Sequence, residues 1–207
     1  NAYQNKFSRN WYKLSHVVAE GNKMGLSSVL DAPASYPQHL AILKGKLNSE
    51  DDALLIKANN RAYLSSGIQT KLDYHWYGAS GIFHDLEVGA RLHYDEEDRF
   101  QWEDGYRIEN GTLSLTSQGP QGAKGNRIAS AQALAAYALY KFKYNKLTLT
   151  PGLRMESISL EREDFGDTNP NRNIAELIRR KNNSIAWIPG IGFNYTFSNQ
   201  LSIFGGL

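Results

Sequence analysis

The sequence predicts an all-β chain that forms part of an antiparallel transmembrane β-barrel. Segments in which apolar and polar residues alternate recur along the chain, as expected of strands that separate two different media. The connections between these segments are alternately very short and long and polar. This asymmetry of connection length is typical of outer-membrane barrels. Aromatic residues also gather beside the short connections, a distribution typical of the membrane interface.

The composition of the chain excludes several classes of protein. The 207 residues are enough for one large domain or two small ones. Lysine and arginine total 23 against 21 aspartates and glutamates, a net charge of +2, which indicates no nucleic-acid partner. No apolar run is long enough for a membrane helix, whereas barrel strands alternate and so average out as polar. The absence of cysteine excludes disulfides and thiolate chemistry.

The first half of the chain predicts three strands. Residues Ala2 to Leu14 carry aromatics with rough alternation and form the first. A polar stretch at about 15–59 is predicted as a long extracellular loop, in which Pro37 to Lys44 has the character of a short helix. Strict alternation then runs from Arg61 to Trp76 and, after a short turn, from Leu86 to Asp95, so these two segments predict a hairpin.

The second half predicts four more strands. A second polar loop at about 96–128 is followed by a strand at Ala129 to Lys143, although its run of alanines would also suit a helix. Leu147 to Glu156 alternates after a tight turn, and a third loop spans about 164–183. The last segments are Ile185 to Phe197 and, after another tight turn, the strand that begins at Gln200. About seven strands are therefore predicted.

The alternation divides each predicted strand into a lipid face and a lumen face. Charged residues on the polar side of the strands are expected to face a watery lumen, where they keep their hydration; they are Glu87, Arg91, His93 and Arg154. A row beside the short turns is expected to form an aromatic girdle at one membrane interface; it comprises Tyr74, Trp76, Tyr140, Phe142, Tyr195 and Phe197. A soluble antiparallel β domain with one buried face remains the alternative on pattern alone.

Two stretches of the chain resemble the barrel of TonB-dependent outer-membrane receptors, and most of all receptors of the ferric-dicitrate type. One runs from Asn60 to Tyr106, and the other pairs Ala135-Ala-Tyr137 with the Thr150-Pro-Gly-Leu-Arg154 element. The likeness is strong over about 60–160 and extends weakly over nearly the whole chain. It implies a barrel of about 22 strands that is plugged by a separate domain. That plug has no counterpart in the chain, so we expect residues 1–207 to be a central part of the barrel.

The resemblance also implies a function. It predicts an energy-coupled receptor of the bacterial outer membrane that binds a ferric chelate outside and imports it. Its partners would be outer-membrane lipid, the chelate, and a TonB-type inner-membrane complex that acts through the plug. No cofactor is expected, since iron would enter only as part of the transported chelate. No nucleic acid is expected either.

A candidate ligand site lies in the second predicted loop. An anionic chelate requires cationic side chains, and arginine binds carboxylates bidentately. Arg99 and Arg107 flank Trp102 and Tyr106, and this mixture predicts an extracellular binding loop. The acidic run from Asp95 to Asp98 has no cation-binding spacing, and the histidines show none either, so no metal site is predicted.

Two other classes of function stay open at this stage. An outer-membrane protease or phospholipase would need a nucleophile with an oriented base. Ser65 and His75 share a strand side but would lie about 33 Å apart, so no catalytic residue is assigned and an enzyme is not expected. The third class is a soluble β module that binds a ligand.

Overall fold

The chain forms one antiparallel sheet of nine strands, in the order β2-β1-β3-β4-β6-β7-β8-β9, with β5 paired to β4 beside this path. The computed structural model describes the backbone of residues 1–207 and every side chain except that of Ser80. The strands are β1 (Ala2–Ala19), β2 (Asn22–Gly25), β3 (Leu54–Tyr77), β4 (Phe83–Glu109), β5 (Thr112–Ser117), β6 (Gly125–Tyr144), β7 (Leu147–Asp164), β8 (Ile178–Ser198) and β9 (Leu201–Gly206). The helices are α1 (Leu26–Asp31) and α2 (Pro37–Leu43), with single 3-10 turns at Pro33–Ser35, Ala79–Gly81 and Ile174–Glu176.

The register gives the sheet two faces and two ends. We call the face with Leu72, Val88 and Ala138, which lie side by side on β3, β4 and β6, the outer face. The opposite face, which carries Glu87 and Tyr137, is the inner face. The connections β3–β4, β6–β7 and β8–β9 lie at one end, the turn end; the remaining connections, which include the two-residue turns β1–β2 and β4–β5, lie at the loop end. An all-β, partly open barrel is therefore confirmed.

The strands are much longer than a bilayer requires. β3 has 24 residues and β4 has 27, whereas about 9–11 tilted residues cross a membrane. The predicted loops at about 15–59, 96–128 and 164–183 are wrong in their bounds, because strand pairing continues into each of them; residues 15–19, 54–59, 96–109, 125–128 and 178–183 are strand. Near the loop end of β7 and β8 both faces are polar, and on β4 charge appears on both faces at residues 96–99. The alternation is interrupted at these places, although the ladder of backbone hydrogen bonds continues.

Of two predictions about single segments, one is confirmed and one is wrong. The short helix expected at Pro37 to Lys44 is confirmed as α2, with Pro37 in its first turn, where a missing N–H costs nothing. The helical alternative for Ala129 to Lys143 is wrong. That segment is strand β6, paired with β4 on one side and β7 on the other, so pairing on both edges outweighs the helix propensity of alanine.

Little of the sheet is covered by the rest of the chain. The buried cluster is small and sits at the loop end, where Val17, Leu54 and Ile108 pack against Ile42 of α2. On the outer face, Leu72 is 65% and Trp187 64% exposed. A contiguous apolar surface of this kind requires a cover other than water. No helix in the described part of the chain is long and apolar enough to cross a membrane.

Candidate functional site

The inner face begins near the turn end with a network around Glu87. Lys71 Nζ lies 2.6 Å from Glu87 Oε2 and 3.1 Å from an oxygen of Asp73. Tyr137 on β6 donates its hydroxyl hydrogen to Glu87 at 2.8 Å. The ring of Tyr137 reaches there by crossing β4 at Gly89, where a Cβ atom would lie 2.3 Å from Cε1 of the ring. Three neighbouring strands therefore hold the Glu87 carboxylate in place.

A second network of the same design lies further toward the loop end. Tyr3 crosses β3 at Gly67 and reaches His93 on β4, with 2.5 Å between its hydroxyl and His93 Nδ1. Arg91 donates to the Tyr3 hydroxyl at 2.7 Å. The other ring nitrogen of His93 is 2.6 Å from an Asp95 oxygen. Tyr3, His93 and Asp95 therefore form one continuous chain of polar contacts on the inner face.

The four residues predicted to face the lumen all lie on the inner face. Glu87, Arg91 and His93 alternate along β4. Arg154 lies beside Tyr137 across the β6–β7 ladder and is 2.6 Å from Glu156. Each of the four thus has a partner on the same wall. That arrangement positions them and leaves them poorly suited to capture a ligand by themselves.

A row of four arginines crosses the inner face nearer the loop end. Arg9 of β1 lies opposite Arg61 of β3, Arg61 lies opposite Arg99 of β4, and Arg99 lies opposite Arg127 of β6. Like charges that face each other directly across a ladder repel. We call these four residues the arginine row. Its members come from four strands but stand at a single level of the wall.

One carboxylate forms ion pairs with the two middle arginines of the row. Glu97 is 3.1 Å from Nη1 of Arg61 through one oxygen and 2.9 Å from Nε of Arg99 through the other. Burial would by itself raise the pKa of Glu97, but the hydrogen bond from Arg99 and the charges of both arginines lower it on balance. Glu97 is therefore a carboxylate held ionised between two cations.

The two ends of the row are less well neutralised. Asp164 lies opposite Arg127, yet its carboxylate is 2.5 Å from Arg162, and no carboxylate of the described residues is within ion-pair distance of Arg127. Burial and then the nearby charges of Arg99 and Arg162 lower the pKa of Arg127. Arg9 has no carboxylate of the described residues within ion-pair distance; it donates to the Tyr63 hydroxyl at 3.4 Å and lies 5.9 Å from the centre of that ring. The row thus presents spare positive charge to the inner side.

The predicted ligand-binding quartet is not brought together. Arg99 and Arg107 lie on the inner face of β4, eight positions apart, whereas Trp102 and Tyr106 lie on its outer face. All four belong to a strand and not to a loop. Arg107 is also paired with Asp51 at 3.2 Å. Only Arg99 belongs to a cluster of cations, so the expectation of a single site is wrong because adjacent strand positions point to opposite faces.

Sequence reasoning missed three members of the arginine row: Arg9, Arg61 and Arg127. Arg9 and Arg127 are separated by more than half of the chain. What unites them is the register of three ladders. The only signal in the sequence was that each has the strand parity of a lumen residue, and this signal depends on knowing how the strands pair.

The aromatic row lies where the sequence placed it, on the outer face at the turn end. Trp76 is stacked on His84 with 4.8 Å between ring centroids, and His84 in turn contacts Tyr140 and Phe142 at 6.0 and 5.8 Å. Tyr74 lies 5.3 Å from Trp76, and Tyr195 lies 4.8 Å from Phe197. His84 was missed, although its imidazole is the centre of the larger group. The role of these rings at a membrane interface stays a prediction.

Among the described side chains, no three carboxylates or imidazoles are grouped closely enough to hold a metal ion. The acidic run is divided, with Asp95 and Glu97 on the inner face and Glu96 and Asp98 on the outer face. The contacts of each group follow from this division: Asp98 binds Arg172, and Glu96 accepts a hydrogen bond from Tyr94.

Comparison with known proteins agrees with this architecture. Residues 5–207 match the family described as TonB dependent receptor-like, beta-barrel. No curated protein matches the sequence significantly. The unliganded ferric citrate transporter FecA is similar with a TM-score of 0.58 and 17% identity, over 73% of this chain and 21% of that chain. The siderophore receptor PiuA from Acinetobacter baumannii is similar with a TM-score of 0.56 and 12% identity, over 99% of this chain and 28% of that chain.

These coverages mean that the chain spans well under half the length of either structure. At such low identity the two structures establish the likeness of the fold alone, whereas the family match covers nearly every residue. The chain belongs to the β-barrel family of TonB-dependent receptors.

Proposed function

We propose that the chain is part of the wall of an energy-coupled receptor in the bacterial outer membrane that binds and imports an anionic ferric chelate of the citrate type. The observation that carries the proposal is the arginine row on the inner face. Membership in the TonB-dependent receptor family supports the transport class and the coupling to an inner-membrane complex. The names of the two similar structures, a ferric citrate transporter and a siderophore receptor, support an iron chelate as cargo.

The chemistry of the row fits a polycarboxylate chelate. Guanidinium groups bind carboxylates through two parallel hydrogen bonds. Arg9 and Arg127 have unused donors, while Glu97 lowers the repulsion between Arg61 and Arg99 in the empty state. A ligand with several negative charges would complete the neutralisation. A neutral or cationic ligand would gain nothing from this row.

The level of the row supports a site at the outer mouth of the barrel. On β4, the outer-face residues between His84 and Tyr94 are all apolar, and the next two are Glu96 and Asp98. Ten strand residues at a tilt of about 40° cover about 25 Å of height, the thickness of the lipid-facing band of such barrels. Arg99 lies about 16 Å further along the strand, in the extension that we assign to the extracellular side.

The experiment is a binding titration of the full-length receptor with ferric citrate. Replacing Arg99 and Arg127 together by glutamine removes two charges but keeps polar side chains of similar length. Loss of one charge-assisted contact each, about 1.5–3 kcal/mol per contact, predicts an affinity weaker by about a hundredfold or more. Arg179→Gln is the matched control, because Arg179 lies on the outer face and is paired with Glu163.

The control is expected to bind like the parent receptor. Unchanged affinity in the Arg99→Gln, Arg127→Gln variant would show that the row is not the ligand site. Arg107→Ala should also bind normally, since Arg107 is bound to Asp51 and stands apart from the row. A receptor that binds a neutral chelate more tightly than ferric citrate would refute the proposed class of cargo.

A further inference from the structure

The connection between β7 and β8 is fastened to the wall by one arginine. Arg172 donates from Nη1 and Nη2 to the two oxygens of Asp98 on β4, at 2.9 and 2.5 Å. Its Nε donates to the side-chain oxygen of Asn126 on β6, also at 2.9 Å. The guanidinium lies 4.9 Å from the ring centre of Phe100 and 5.3 Å from that of Phe165. We call Arg172 with these four residues the loop clamp.

The loop clamp is partly buried and is held by several hydrogen bonds, unlike an isolated contact on the surface. Asn126 is 2% exposed, and Phe165 is 6% exposed. Asn126 donates to the carbonyl of Asn169 at 2.7 Å, within the same connection. Arg172 itself has a φ of +54°, a left-handed conformation that costs a non-glycine residue free energy. The contacts of its guanidinium must offset that strain.

The clamp and the arginine row occupy opposite faces of the same two strands. Asp98 and Phe100 flank Arg99 in sequence, and Asn126 precedes Arg127. Phe100 lies opposite Asn126 in the β4–β6 ladder, one position from the pair formed by Arg99 and Arg127. Arg172 therefore bridges β4 and β6 from the outer face at the level where two like charges face each other on the inner face.

We infer that Arg172 is a positioning residue, which holds β4 and β6 together so that Arg99 and Arg127 keep the spacing that an anionic ligand requires. This inference rests on the proposed function of the arginine row. The repulsion between the two guanidiniums tends to splay the strand pair when no ligand is bound. A bidentate bridge to Asp98 and a third bond to Asn126 oppose this tendency. The connection between β7 and β8 thereby acts on the site without touching the ligand.

The test uses Arg172→Asn in the full-length receptor, because asparagine accepts a left-handed backbone but cannot form the bridge. We expect ferric citrate to bind about tenfold more weakly, the scale of loss expected when binding groups are slightly misplaced. Asp98→Asn is the second variant, since it keeps the side-chain shape and weakens the fork. Arg179→Asn is the control for loss of a neighbouring exposed arginine.

A double-mutant cycle separates positioning from general stability. In the Arg99→Gln, Arg127→Gln background, Arg172→Asn should add little further loss, because there is no repelling pair left to position. An equal loss in both backgrounds, or unchanged affinity of Arg172→Asn and Asp98→Asn, would overturn the inference while leaving the proposed function intact. If the Arg99→Gln, Arg127→Gln variant itself binds normally, the proposed function and the inference both fail.

Discussion

Individual glycines determine which side chains form hydrogen bonds across the inner face. Tyr3 and Tyr137 each lie across a neighbouring strand, and each can do so because that strand has a glycine at the crossing point, Gly67 or Gly89. The Tyr3 hydroxyl then reaches a third strand at His93, whereas the Tyr137 hydroxyl binds Glu87 on the same strand as Gly89. A glycine in a strand interior is normally a cost. Here the cost is offset by two hydrogen-bond networks that tie three strands together.

The substitution Gly67→Ala adds one carbon atom at the crossing point and so tests whether a glycine is required there. The added Cβ would lie 2.5 Å from the Tyr3 hydroxyl oxygen and 2.7 Å from the backbone oxygen of Leu92. Since backbone cannot move away cheaply, we expect the free energy of unfolding to fall by about 1–3 kcal/mol. Gly192→Ala is the control, because the nearest atoms to its Cβ would be 3.9 Å away. Urea unfolding of the refolded barrel measures both, and equal stability of the two variants would contradict the prediction.

At the scale of one strand, β4 shows three successive environments on its outer face. Near the turn end is the aromatic group around His84, then come apolar residues as far as Leu92, and then Tyr94 followed by Glu96. Such a sequence matches a lipid-facing band with an interface at each end. The inner face of the same strand carries charge throughout this length.

This profile predicts a depth-dependent response to charge. Val88→Arg places a cation at the middle of the proposed band and should reduce the free energy of unfolding in lipid by about 2–4 kcal/mol. Gln132→Arg is the matched substitution at the edge, since Gln132 lies beside Tyr94, and its cost should be about 0–1 kcal/mol. Both are measured by unfolding from phospholipid vesicles. Equal costs at the two positions would remove the lipid assignment of the outer face.

The same strand shows how far the sequence can predict the fold. Alternation from Leu86 to Asp95 predicted a strand correctly because one side of it is apolar. From Glu96 to Arg99 both sides carry charge, which interrupts the period, and the stretch was interpreted as a loop. The alternation resumes from Phe100 to Ile108, where mostly aromatic and apolar side chains face one side, but this second run was not recognised as a strand. Its strand conformation depends on pairing with β3, β5 and β6. Pairing between distant segments is invisible in a local pattern.

At the scale of the whole molecule, the candidate site belongs to no single element. Arg9, Arg61, Arg99 and Arg127 come from four strands, and only the sheet order makes them neighbours. Local reasoning could identify Arg99 beside aromatic residues, but it joined it to Trp102, which points to the other face. The parity of each strand was predictable. The level at which four strands meet was not, because register depends on turn lengths and on bulges such as the one near Leu14.

Positive charge is concentrated in the arginine row, although the net charge of the chain is only +2. This distribution predicts how salt affects ligand binding. A nearly neutral wall steers ligands weakly over long distances, so attraction must come from the row itself. Because the Debye length falls from about 10 Å at 0.1 M to about 3 Å at 1 M salt, ferric citrate should bind the full-length receptor about tenfold more weakly across that range. The Arg99→Gln, Arg127→Gln variant should show a shallower dependence on salt, because two of the charges that are being screened are gone. Titrations of both proteins over a series of sodium chloride concentrations measure the two slopes, and parallel slopes would place the electrostatic attraction elsewhere in the receptor.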